Sequence, residues 1–248
     1  MADLATPEFL STLKAAFPPG SPDSPSHLWA LIAVVSFSAS NVTEAVPVVF
    51  KYALDDLVQA QMQAGTSQDV AHAEQLVLAR KFRESVLRAG LLCGVPRAID
   101  SLIELHKVMP EHLRDTKPLR DTHKPPAEWD RGGKEVFETI YRETAPSIFN
   151  LVDTAYPDLA WFCITVGYGM LYGGTDTLST IEQIYNMVAT LVAVDAPRQI
   201  GWHLGNALRN GASLEEARAV RRAALEVAGR AGVKWRGAVP DVEEPATE

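Results

Sequence analysis

The chain has 248 residues, 47% of them hydrophobic, enough to bury a full core in one large domain or two small ones. Its formal net charge of −8, from 31 acidic against 23 basic residues, argues against nucleic acid as a partner. No apolar run reaches membrane-spanning length: the best candidate, Leu28 to Val35, is closed by Ser36 and Ser38.

In chain order, the N-terminal segment 1–26 carries Asp3 and Glu8, lacks a signal-peptide core, and predicts one short amphipathic helix over 7–16. Two cysteines, Cys93 and Cys163, form no C-x-x-C and fit a reducing compartment, so the expected location is cytoplasmic. Apolar residues then recur at three and four rather than at two. This period predicts helices over 27–40, 43–64, 67–92 and 96–108, with Pro47 kinking the second or marking its first turn. From Met109 to Gly133 the composition changes to prolines, glycines and charge. That composition predicts a linker over 109–132. Further helices follow over 133–143, 146–155, 158–171, 180–194, 197–210 and 213–230. The last is the clearest, with Leu214, Ala217, Val220, Ala224 and Val227 on one face and a capping-box signal at Ser213 and Glu216. Residues 237–248 predict an acidic tail.

A weak repeat joins the two sides of the linker. Gln63 to Val70 and Arg209 to Glu216 each end a helix at a glycine, cap the next, and open a long amphipathic helix. Those long helices reach glycine turns at Gly94 and Gly232. The fold expected is all-α, with one repeat over 27–108 and a second over 133–236 burying each other's apolar faces.

The run Trp202-His203-Leu204-Gly205-Asn206-Ala207-Leu208-Arg209-Asn210-Gly211-Ala212-Ser213-Leu214-Glu215-Glu216 resembles the signature of the carboxymuconolactone-decarboxylase-like, or alkyl-hydroperoxidase-D-like, family. Phe82 to Leu105, a helix ending in a G-x-P turn that opens another, resembles the family's second hallmark. The two-copy fungal members look most similar. The resemblance implies a helical bundle of two diverged pseudo-repeats, no cofactor, and fewer subunits in a homo-oligomer than single-copy relatives need. It also implies what is absent. Family peroxidases place two cysteines seven and four residues before the helical histidine, where this chain has Ala196 and Gln199. The family's acid position holds Ile184, and the first repeat has Leu57 at the histidine position. A thiol peroxidase is therefore not expected, whereas an acid–base decarboxylase, isomerase or cyclase remains open.

His203 is the main site candidate, because Gln199, Asn206 and Asn210 share its helical face. It is either a proton-transfer residue in a polar pocket or a structural histidine tied to a neighbouring helix. Glu182 lies two residues from the family's acid position and is either a second catalytic group or simply the cap of its own helix with Ser179. Trp161, Tyr168 and Tyr172 wall a substrate pocket or pack as core, and Trp202 adjoins His203. Arg80, Glu84 and Arg88 form an i,i+4 row that reads most simply as a solvated ion-pair ladder. The remaining histidines have no metal-ligand spacing. The expected partner is a small molecule: an organic acid, a lactone or a polyketide-like compound. The rival reading is a non-catalytic scaffold.

Overall fold

A computed structural model describes residues 2–18 and 27–243; the last five residues of the tail, and 19–26 of the N-terminal segment, lie outside the described residues. The fold class is all-α, with no strand among the described residues. The helices are α1 (Pro7–Ala15), α2 (Leu28–Ala39), α3 (Val46–Ala64), α4 (Gln68–Cys93), α5 (Val95–Val108), α6 (Pro126–Tyr141), α7 (Ala145–Ala155), α8 (Pro157–Trp161), α9 (Thr180–Ala193), α10 (Pro197–Arg209) and α11 (Leu214–Arg230). A π-helix, Phe162–Tyr172, joins α8 to the loop before α9.

Helices α2 and α9 form the centre. The sequence LWALIAVVSFSA is apolar on every face, and each of its twelve residues is buried. A helix that is hydrophobic all round has nowhere to go but the middle of a bundle. In α9 every residue from Glu182 to Ala193 is buried as well. Helix α4 packs on both α2 and α9, and α11 packs on both in turn, so each half of the chain contributes one central and one flanking helix.

The backbone repeats this arrangement turn by turn. Helix α2 ends at Asn41 (φ 62°), and α9 ends at Asp195 (φ 55°). The next residues, Val42 (φ −108°, ψ 65°) and Ala196 (φ −110°, ψ 72°), share one conformation, and each donates its N–H five residues back, to Phe37 and Leu191. Helices α3 and α10 close at Gly65 and Gly211, and α4 and α11 are followed by Gly94 and Gly232, all four with positive φ. Left-handed backbone is costly for residues other than glycine, Asn and Asp, which explains why those residue types stand at these ends.

Pro47 sits in the first turn of α3, one of the two places expected for it, where its missing N–H costs nothing. Two expectations need correction. The helix expected from 133 begins at Pro126, so the linker is shorter than its composition suggested. What remains of it is tied down. Met109 and Leu113 are buried, and Asp115 takes Arg80 and Arg83, each at 2.8 Å. The tail also has a place. Arg221 donates to the carbonyls of Val239 and Pro240, and Val242 is buried.

The π-helix was not expected and breaks the spacing of its aromatics. Its i→i+5 bonds turn the chain less per residue than an α-helix does. Trp161 therefore does not join Tyr168 and Tyr172; it is 59% exposed, while they are buried. The π-helix and α6 cross backbone to backbone. A Cβ on Gly133 would lie 2.0 Å from the Ile164 carbonyl oxygen, and one on Gly169 would lie 2.2 Å from that of Trp129. Gly133→Ala should therefore destabilise by about 1–3 kcal/mol in chemical denaturation, as overpacking does. Gly132→Ala has only Lys124 Nζ at 4.0 Å and should be neutral or stabilise by about 0.5–1 kcal/mol. Equal effects at the two sites would mean that the helices do not cross this closely.

Candidate functional site

His203 sits near the middle of α10 and is only 4% exposed. Its ring faces the end of α6, where Tyr141 Oη lies 3.5 Å from Nε2. On its own helix, the Asn206 amide nitrogen lies 3.5 Å from Nδ1. Both distances are at the long limit for hydrogen bonds. Tyr168, from the π-helix, donates to Tyr141 Oη at 3.3 Å. Tyr172 packs edge-on against Tyr168, and its buried hydroxyl has no partner. The sequence of contacts His203, Tyr141, Tyr168 and Tyr172 thus forms a buried string of neutral polar groups reaching into the core.

Burial decides the charge of each group. It lowers the His203 pKa to about 4, so the imidazole is neutral at neutral pH. Burial also raises the Tyr141 pKa to about 12 and pushes Tyr168 and Tyr172 well above the usual phenol value. None of these four groups is charged near pH 7. The Asn206 amide nitrogen is a donor only. A neutral ring that accepts it at Nδ1 carries its own proton on Nε2 and offers it to Tyr141. Tyr141 Oη then receives two hydrogen bonds, from His203 and from Tyr168, and its own proton remains to be given.

A cleft of about 780 Å³ opens beside this string. Tyr141 and Asn206 belong to its wall, together with Trp202, Thr144, Ser147 and the tail residues Pro240, Asp241 and Glu243. His203 itself is behind the wall. The charged lining comprises Glu143, Asp241 and Glu243 against one cation, Arg209, which is paired with Glu143 at 2.6 Å. Asn210 fixes the junction by bonding Ile140 O and accepting from Arg142.

The other candidates fall elsewhere. Glu182 closes a full capping box with Ser179 and takes Lys81 Nζ at 2.6 Å. Its carboxylate makes no bond to His203, so a catalytic pairing of the two has no geometry behind it. Gln199 is half-buried one turn before His203 and takes no part in its hydrogen bonds. Cys93 and Cys163 are free and half-buried, and burial raises both thiol pKa values. The fold brings His72 and His112 within 5.6 Å, a pairing that sequence spacing hid. No group of three His, Cys, Asp or Glu suited to a metal exists among the described residues, nor any helix long and apolar enough to cross a membrane.

Sequence reasoning missed Tyr141. It stands on the apolar face of α6, four residues after Phe137, and looks like core at that spacing. It also missed the tail as part of the cleft.

No protein-family model matches the chain. Two curated relatives are similar over nearly their full lengths, and both bear the name Peroxisomal protein 2. The Saccharomyces cerevisiae protein is 28% identical across 86% of this chain and 92% of its own. The Schizosaccharomyces pombe protein is 27% identical across 86% of this chain and 91% of its own. These names overturn the expectation of a cytoplasmic protein: the chain's relatives are named for the peroxisome. Neither name states an activity.

Proposed function

We propose that this chain is a peroxisomal, cofactor-independent protein of the carboxymuconolactone-decarboxylase-like type that handles a neutral carbonyl compound in the cleft between α6 and α10. The observation that carries this reading is the double role of Tyr141: it forms part of the cleft wall and touches the sealed His203. A neutral phenol beside a neutral imidazole is suited to donating a hydrogen bond to a carbonyl or enolate oxygen. It is poorly suited to abstracting a proton, because a base with a pKa of about 4 is weak at neutral pH. His203 is then a positioning residue, and Tyr141 is the group that meets the ligand.

The charge of the cleft narrows the substrate class. Three carboxylates, two of them paired with Arg209 and Arg221, outnumber the single arginine of the lining, an excess that disfavours a free acid and favours lactones and ketones. Decarboxylation thereby loses ground to isomerisation or cyclisation. Thiol peroxidase chemistry stays outside this reading, since Ala196 and Gln199 occupy the positions where the resemblance would put cysteines.

The scaffold reading keeps one observation in its favour: His203 is shut off from solvent. The two readings separate in a panel of lactones and β-diketones assayed for isomerisation by absorbance and NMR. Tyr141→Phe should lower any turnover by about 10²–10³-fold, as loss of one oxyanion donor does, while leaving binding largely intact. Binding without turnover in the wild type would favour the scaffold. Turnover unchanged in Tyr141→Phe would remove Tyr141 from the chemistry.

A further inference from the structure

On the reading that the cleft beside Tyr141 is the ligand site, we propose that the segment after α11 is a strap that Arg221 holds against the cleft, and that the strap's carboxylates give the cleft its preference for uncharged ligands. Residues 231–243 form no helix, so their backbone N–H and C=O groups need partners outside a helical ladder. The strap is anchored first at the end of α9, where Trp235 Nε1 donates to the Val192 carbonyl at 2.8 Å and Arg236 pairs with Asp195 at 2.9 Å. Pro240 then rests beside Gly201 of α10, where an added Cβ would lie 4.0 Å from the Pro240 Cβ. Two consecutive carbonyls at this point, of Val239 and Pro240, accept from Arg221 Nη2 at 2.7 Å and from Nε at 2.5 Å. The planar fork of an arginine serves both at once, which the compact ammonium of a lysine does not. Arg221 stands on α11 and is not part of the cleft lining, so it acts on the cleft through the strap. Val242 is buried, while Asp241 and Glu243 on either side of it are exposed and line the cleft.

The charge of the cleft divides unevenly between the strap and the helices. Glu143 is balanced by Arg209 at 2.6 Å, so the rest of the wall is neutral as a whole. On the strap, Asp241 reaches Arg221 Nε only at 3.8 Å, a nitrogen already given to the Pro240 carbonyl. Glu243 has no ion pair among the described residues. The excess negative charge facing a ligand therefore comes from the strap. Because both carboxylates are exposed, salt screens their influence.

Two fluorescent probes of one ring skeleton test this on the full chain: uncharged phenylnaphthylamine, and anilinonaphthalenesulfonate, which adds a negative charge. Nitrogen NMR of the Trp202 indole, assigned with Trp202→Phe, reports whether each probe occupies the cleft, whose wall Trp202 shares. The wild type should prefer the uncharged probe at low salt, and the preference should fade at high salt. Asp241→Asn combined with Glu243→Gln should reduce the preference by about fivefold, the scale of solvent-screened charges a few ångströms away, and leave the affinity for the uncharged probe as it was. Arg221→Ala should lose the same preference although both carboxylates remain, with circular dichroism unchanged, and Arg221→Lys should restore only part of it. A preference that either the carboxylate change or Arg221→Ala leaves intact, with Trp202 still responding, overturns the strap while the ligand reading stands; so does a wild type without preference. A Trp202 signal that neither probe moves in any form of the chain overturns both.

Discussion

Glu84→Ala should cost about 3–5 kcal/mol of stability, the largest effect expected from any single polar substitution in this chain. The i,i+4 row that sequence spacing presents as a solvated ladder is instead a buried node. Glu84 is 5% exposed and Arg88 1%. Arg120, from the segment between the halves, meets the Glu84 carboxylate with both terminal nitrogens at 2.8 Å, and Arg88 Nε adds a third bond at 3.0 Å. Arg88 continues to Gln183 on α9 and to Thr175, while Arg120 caps the carbonyls of Met170 and Leu171 at the end of the π-helix. One carboxylate therefore ties together α4, the linker, the π-helix and α9. Removing it strands two guanidinium groups, one of them fully buried, and uncompensated buried charge is what makes such deletions expensive. In thermal denaturation the loss corresponds to a drop in Tm of roughly 10 °C. Burial pushes the Glu84 pKa up, but the hydrogen bonds and charge of Arg120 and Arg88 outweigh it and hold the carboxyl below its ordinary value. A carboxyl with a depressed folded pKa stabilises above its unfolded value and loses that contribution as pH falls through the folded one. The penalty of Glu84→Ala should accordingly shrink in strong acid. A change below about 1 kcal/mol at neutral pH, the range of exposed pairs, would mean that the node is solvated after all.

The second large effect concerns His203 and pH. Its folded pKa of about 4 lies below the ordinary histidine value of 6.5, because burial penalises the imidazolium. Between those two values the unfolded chain binds the proton that the folded chain refuses. Stability is therefore full above about pH 6.5, declines as pH falls toward 4, and levels off below. The contribution of this one group across that window reaches about 3 kcal/mol. His203→Gln cannot titrate, so the difference between wild type and variant in urea denaturation should change across the window, isolating this residue from the other acid-sensitive groups. A difference that stays constant between pH 4 and pH 7 would mean that His203 has an ordinary pKa and is hydrated.

Helix ends were largely legible because their chemistry is local. Gly65, Gly211, Gly94 and Gly232 mark positive-φ positions, and Ser179 with Glu182 forms its capping box as the motif specifies. Ser213 and Glu216 show the limit of such motifs. Ser213 caps the Glu216 N–H, but the Glu216 carboxylate accepts the Tyr185 hydroxyl at 3.2 Å. The misses share a different cause: they depend on partners far away in sequence. An i,i+4 pair has the same spacing buried or exposed, and nothing near Glu84 announces that Arg120 will arrive beside it. The charged segment around Arg120 looks unable to pack because its anchors are ion pairs and two isolated apolar side chains, Met109 and Leu113, rather than a periodic apolar face. Pro125-Pro126 read as linker although proline also opens helices. Tyr141 was hidden because a tyrosine on an apolar helix face is indistinguishable from core until the cleft behind it is known. The π-helix has no sequence signature beyond its glycines, of which Gly169 is explained by the close crossing with α6 and Gly167 by its contact with Leu91 of α4.

The most direct test of the Tyr141–His203 pair follows the imidazole itself. The six histidines of the full chain can be followed by carbon and nitrogen NMR from pH 3 to pH 8, with His203→Gln assigning the resonance. The expected His203 signal is that of a neutral ring from pH 8 down to about pH 5, with titration near 4, and it should move in Tyr141→Phe. A ring that titrates near the free-histidine value and ignores Tyr141→Phe would contradict a neutral pair at the wall of the cleft.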